Sequence, residues 1–125
     1  MDFTAACALL EHQTLPEHET DDTFLGRLKL GQPPVPGQVT SLLLALTVIR
    51  GGLHAAPSLD RKLAQALFLV AYESRNLFEA GRAARVPWPP LLDQDLERIA
   101  IATYQVFADI SADASADASA DASAQ

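Results

Sequence analysis

Between Pro57 and Pro87 the chain has no proline, and its apolar residues return every third or fourth position. Leu59, Leu63, Ala66, Leu67, Val70 and Leu77 share this register, with Ser74 among them. Such spacing follows the turn of an α-helix and not the alternation of a strand. It predicts the longest helix of the fold, from Pro57 and Ser58 to about Arg85, with those residues as its buried seam.

The other prolines and several glycines cut the rest of the chain into shorter pieces of the same period. Phe3, Ala6, Cys7 and Leu10 predict a first helix that Asp2 can cap and Pro16 ends. A short second helix is expected over residues 20–30. Thr20 would cap it, Asp21 and Asp22 would face its positive end, and Gly31 would close it. Gly26 inside this segment costs up to ~1 kcal/mol, so the helix relies on packing by Phe24, Leu25 and Leu28.

A third helix is expected from about Pro36 to Arg50. Val39, Leu42, Leu43, Leu46 and Ile49 form its stripe, and Leu44 and Val48 widen that stripe almost all round. A helix apolar on most sides is a central one, and Gly51 and Gly52 should stop it. The last helix follows "VPWPP" and runs from about Leu92 to Ile110, with Leu96, Ile99, Ala100, Val106, Phe107 and Ile110 inward. Strand signals are weak throughout, and short links favour antiparallel neighbours. The expected fold is all-α: a compact antiparallel bundle of four to five helices over residues 1–110, with a Ser-Ala-Asp-Ala tail at 111–125. That tail has no large apolar side chain to dock and reads as a disordered or fraying acidic extension.

Composition narrows the function. Hydrophobic residues make up 49% of the chain, enough for a core without disulfides or metal, and the single cysteine suits a reducing compartment. The opening "MDFTAACALLEHQ" has no basic region of the kind that begins a secretory signal. The runs "LLLALTVI" and "ALFLVAY" fall short of the ~18 residues a membrane span needs. A cytoplasmic protein with no membrane partner is expected. Net charge is −7, and about −4 once the three tail aspartates Asp113, Asp117 and Asp121 are set aside. Nucleic-acid binding wants a basic face to replace counterions on phosphates, so no nucleic-acid partner is expected either.

Chemistry-bearing motifs are sparse. "GQPPVPGQVTSLLLAL" suggests a glycine-rich phosphate loop, but a Walker loop needs GxxxxGK[ST]. Gln38 stands where lysine is required, and Pro33, Pro34 and Pro36 remove the N–H donors of a cradle. The stretch reads as a structural helix start, with Pro36 fitting the first turn. "EHQTLPEHETDD" holds His12 and His18 among acids, yet without the i, i+4 pairing that sets two metal ligands on one helix face. His54 reads as a residue at a helix end, and Cys7 as a small core residue on an apolar face. No GxSxG stretch exists. Asp93, Asp95 and Glu97 are the acids a helix N-terminus prefers. No catalytic residue, cofactor or metal ligand is assigned.

A second stripe on the long helix is of another kind. Arg61, Gln65, Phe68, Tyr72, Arg75, Asn76, Glu79 and Arg82 share one side and include aromatic and arginine types enriched at protein interfaces. Alternatively, Phe68 and Tyr72 pack under another helix while the arginines pair with Glu73 or Glu79. Trp88, the only tryptophan, could anchor a partner or staple its proline-rich connection onto the bundle. Phe68, Tyr72, Arg75, Arg82 and Trp88 are the candidate interface residues.

Two stretches together, "GQPPVPGQVTSLLLAL" and "LAQALFLVAYESRNLFEAGRAARVPWPPLLDQDLERIA", resemble a small family of cyanobacterial proteins of this length. Some members carry the label dethiobiotin synthetase. The resemblance covers residues 3 to about 110 and leaves the tail outside. The label implies an α/β enzyme that binds ATP, magnesium and a diamine through a phosphate loop, and this chain departs from it in lacking that loop and any parallel-sheet pattern. The residues themselves point to a non-enzymatic helical interaction protein, adaptor or regulatory, that binds a protein partner or a second copy of itself. A small-molecule binder or enzyme with the ATP-dependent activity of that label is the alternative.

Overall fold

The computed structural model describes residues 1–109; Ile110 and the Ser-Ala-Asp-Ala tail lie outside them. Five helices and no strand make up the described residues. Helix α1 spans Phe3–Thr14, and Asp2 caps it by accepting a hydrogen bond from the Ala5 N–H at 2.7 Å. Pro16 then opens a single 3-10 turn, Pro16–His18.

Helix α2 is shorter than expected, Phe24–Lys29, and its cap is Thr23 rather than Thr20. The Thr23 hydroxyl donates to the Thr20 carbonyl at 3.0 Å and accepts from the Gly26 N–H at 3.3 Å. The bend at residues 20–23 therefore folds back over the helix start. A Cβ on residue 26 would lie 1.9 Å from the Thr20 oxygen, so Gly26 is what lets this bend close. Phe24, Leu25 and Leu28 are buried, as the packing argument required.

Helix α3, Gln38–Gly52, starts after Pro36, which lies outside its first turn, and ends at Gly52, so the two glycines are its last residues and do not follow it. Glycine costs a helix only about 1 kcal/mol, and the chain turns away later, at Ala55 with φ 62°. Leu42, Ala45, Leu46 and Ile49 are its buried face, whereas Leu44 is half exposed, so α3 is buried on one side and not all round.

The long helix begins at Arg61, with Asp60 as its cap, and carries a π turn in its middle: α4 Arg61–Phe68, π turn Leu69–Glu73, α5 Ser74–Ala83. The predicted seam holds through Leu63, Ala66, Leu67, Val70 and Ser74, all buried. The π turn takes in about one residue more than an α turn, so beyond Ser74 the buried face of α5 falls one position later than the predicted seam. Phe78 thus becomes buried, and Leu77 moves to the margin of the core. Ser74 is accommodated because its hydroxyl donates to the Val70 carbonyl at 2.5 Å.

Helix α6, Leu92–Phe107, buries Leu92, Leu96, Ile99 and Val106, with Thr103 satisfied by donating to the Ile99 carbonyl at 2.9 Å. Phe107, expected inward, is half exposed. It directly follows the buried Val106 and points off the buried face.

Helices α1 and α3 are antiparallel, with Gln13 bonded to Gln38 at one end and the Phe3 ring over Gly52 at the other. Helices α5 and α6 are also antiparallel, and α3 runs the same way as α6, pairing Arg50 with Gln105. The core fills the space between these helices. Among the described residues no helix is long and apolar enough to cross a membrane.

Candidate functional site

The outer side of the long helix carries the predicted interface residues, and the structure divides them into two groups. Phe68, at the end of α4, and Tyr72, within the π turn, are each 54% exposed. Their rings stack on one another, centroids 4.9 Å apart and planes 22° from parallel. Neither packs beneath another helix.

Arg75 and Arg82 instead clamp α5 to α6, while Trp88 packs on α5. Arg75 Nη1 lies 2.6 Å from Asp93 Oδ1 and its Nη2 lies 4.0 Å from Glu97. Arg82 Nη2 reaches the other Asp93 oxygen at 3.5 Å. The hydrogen bond from Arg75, with the positive charge of both arginines, holds the Asp93 carboxyl below its ordinary value. Both guanidinium groups also approach the Phe78 ring, at 5.3 and 4.7 Å, a cation–π arrangement. On its other flank Trp88 donates its indole N–H to the Phe78 carbonyl at 3.0 Å. Trp88 lies so close to Gly81 that a Cβ there would fall 2.4 Å from its ring. Trp88 therefore staples the proline-rich connection onto α5.

Pairing of the arginines with Glu79 is present too, at 3.6 and 3.7 Å. Asp93, read from the sequence as a helix-start acid in preference to a general acid, is the centre of the clamp.

Two further surface residues escaped the sequence reading. Ile101 is 50% and Tyr104 57% exposed on α6. They follow Glu97 at four and seven positions, on one helix face. Because α5 and α6 are antiparallel, stepping back from Arg75 to Tyr72 and Phe68 accompanies stepping forward from Glu97 to Ile101 and Tyr104. Ile101 and Tyr104 line a shallow surface hollow with Ala100 and Gln105. The available signal was an excess of apolar residues on α6 beyond one buried seam.

No protein-family model, curated protein or solved structure matches this chain. The remaining motifs stand on geometry alone. In the Gly31–Gly37 stretch, Arg27 Nε donates to the Pro33 carbonyl at 2.6 Å and the Val35 N–H donates to Gln38 Oε1 at 3.0 Å. Gln38 Nε2 in turn donates to Gln13 Oε1 and to the Asp22 carbonyl. These bonds tie the start of α3 to α1 and to the bend before α2.

His12 and His18 approach each other with ring centroids 5.8 Å apart. No group of three or more His, Cys, Asp or Glu among the described residues is placed to hold a metal. His54 Nδ1 lies 3.2 Å from Asp109, beside the Ala55 N–H that donates to the same carboxylate. Cys7 is half-buried, and burial, followed by the charges of Glu11 and Asp60, raises its thiol above the ordinary value. A thiol kept protonated is a weak nucleophile.

Proposed function

We propose that this chain is a non-enzymatic interaction module that docks an amphipathic helix of a partner protein over Phe68, Tyr72, Ile101 and Tyr104. The stacked, half-exposed Phe68–Tyr72 pair carries this reading. Two large rings held in place and left facing solvent are what an interface anchor offers, and a helix laid on an apolar face is a common recognition mode. The π turn adds to the case, since such turns often accompany functional sites. Arg75 and Arg82 serve the face by holding α5 against α6, and Trp88 by pinning the connection between them onto α5.

Charge favours a different protein over a second copy. Glu79, Asp93 and Glu97 gather at one edge of the face, where Arg75 and Arg82 are already paired with them, and the whole chain carries −7. A partner helix flanked by lysine or arginine complements this edge, whereas two copies repel.

The test compares wild type with a Phe68→Ser, Tyr72→Ser double variant in quantitative pull-downs, after circular dichroism shows equal helicity. A partner that binds wild type should be lost or weakened at least about tenfold on the variant. Equal retention on both overturns the reading. A concentration-dependent dimer that the double variant abolishes replaces the foreign partner with a second copy. For the biotin-pathway activity implied by the family resemblance, ATP with magnesium should raise the melting temperature, and no shift at millimolar ATP leaves that activity unsupported.

A further inference from the structure

A cleft of about 730 Å³ opens between α1 and the start of α4, well away from the Phe68–Tyr72 face. Its volume falls in the ~300–1,000 Å³ range of small-molecule sites. Phe3, Leu53, Leu59 and Leu63 supply apolar walls. The ionisable groups that line it are Cys7, Glu11, His12, His18 and Asp60, with no lysine or arginine among the described lining residues. Lys62, which follows Asp60 by two residues, pairs with Glu17 at 3.0 Å, and Glu11 and Asp60 act on its ammonium more weakly.

We propose that this cleft binds a small amphiphilic amine, its apolar body against Phe3, Leu59 and Leu63 and its protonated head toward Glu11 and Asp60. An apolar cavity selects for an apolar body, and charge selects the head. A carboxylate ligand would meet two like charges, and among the described lining residues only the imidazoles of His12 and His18 could receive it. The positive end of α4, which otherwise attracts anions, is already taken, because Asp60 Oδ2 accepts from the Leu63 N–H at 3.0 Å. The raised Cys7 thiol reports the same negative field inside the cleft, since Glu11 and Asp60 are among its causes after burial. This site is independent of the partner-binding face and stands or falls separately from it.

Cys7 lines the cleft and is the only cysteine of the chain, so it serves as a reporter. The probes are phenylbutylamine, phenylbutanol and phenylpentanoate, which share one aromatic body and one linker length and differ in head-group charge. The rate of Cys7 alkylation by neutral iodoacetamide is followed by intact mass. Phenylbutylamine should slow alkylation saturably, at a concentration about tenfold below that needed by phenylpentanoate, from one attraction gained and one repulsion avoided at the strength usual for exposed charges.

Glu11→Gln should bring the amine close to the alcohol, and Asp60→Asn should do so while keeping a cap, because asparagine caps as well as aspartate. Glu97→Gln, which removes an equal charge on α6, should change nothing. Each variant is compared with and without probe, so a change in thiol reactivity itself cancels. Protection by the alcohol or the carboxylate as good as by the amine overturns the proposal. So does the absence of any protection, or a Glu97→Gln effect as large as that of Glu11→Gln.

Discussion

Arg75 of α5 and Asp93 of α6 form an ion pair at 2.6 Å, and this pair holds the two helices antiparallel beside the Phe78 ring. Reversing the charge of Arg75 would set a third carboxylate against Asp93 and Glu97. Such a variant reads the α5–α6 contact before it reads any partner, which is why the aromatic pair is the cleaner probe of docking.

The Asp93 carboxyl has a folded-state value below its ordinary 3.8, through the Arg75 hydrogen bond first. A lowered folded value means stability that is present above 3.8 and lost as pH falls through the folded value. Asp93→Asn should therefore lower the urea midpoint at neutral pH. The gap to wild type should narrow below pH 3.8. A gap that widens in acid would show that Asp93 is not paired in solution.

Gly81→Ala places a methyl group 2.4 Å from the Trp88 ring. The indole must leave and give up its bond to the Phe78 carbonyl, at a cost of about 1–3 kcal/mol for a forced shift in a packed site. Trp88 is the only tryptophan, so its fluorescence should shift to the red in the native state. An unchanged emission maximum would show that the staple tolerates the methyl.

The same helix ending occurs twice with different residues. After α2 the Gln32 N–H bonds to the Arg27 carbonyl and Gly31 takes φ 70°; after α5 the Val86 N–H bonds to the Gly81 carbonyl and Arg85 takes φ 65°. Glycine enters this left-handed region freely and arginine does not. Arg85→Gly should stabilise the protein, and Gly31→Ala should destabilise it, each by about 1 kcal/mol in thermal or urea unfolding. Opposite signs in either case would refute these two endings.

Gln38 joins three segments through Gln13, Asp22 and Val35. Gln38→Ala should cost about 1 kcal/mol, because water replaces part of what the side chain supplied. Urea unfolding checks it, and an unchanged midpoint would mean that the loop is held by its prolines alone.

The helical class, the approximate helix positions, the Asp2 cap and most buried positions were legible in sequence, because they depend on residues three or four apart in the same segment. The Thr23 cap was less legible, since Thr20 and Thr23 are equally good caps locally and only the bend above Gly26 decides between them. The glycines did mark the end of α3, at Gly52 in place of about Arg50, since their local cost is too small to fix the boundary to the residue.

At the candidate site the division is similar. That Phe68, Tyr72, Arg75 and Arg82 share one side of a helix follows from their spacing. Which of them face solvent depends on Asp93 arriving from another helix, which no periodicity in residues 57–87 records. The exchange of Leu77 for Phe78 in the core has the same origin, for a π turn arises where helices pack and not from the local pattern.

By itself the sequence determined the helical class, the approximate place of each helix and most of its buried positions, because helix periodicity is a short-range property. The tertiary structure alone decided which exposed groups are spent on the fold and which remain available. Ion pairs, staples and clefts are made between segments distant in sequence, and their free energy depends on how those segments meet.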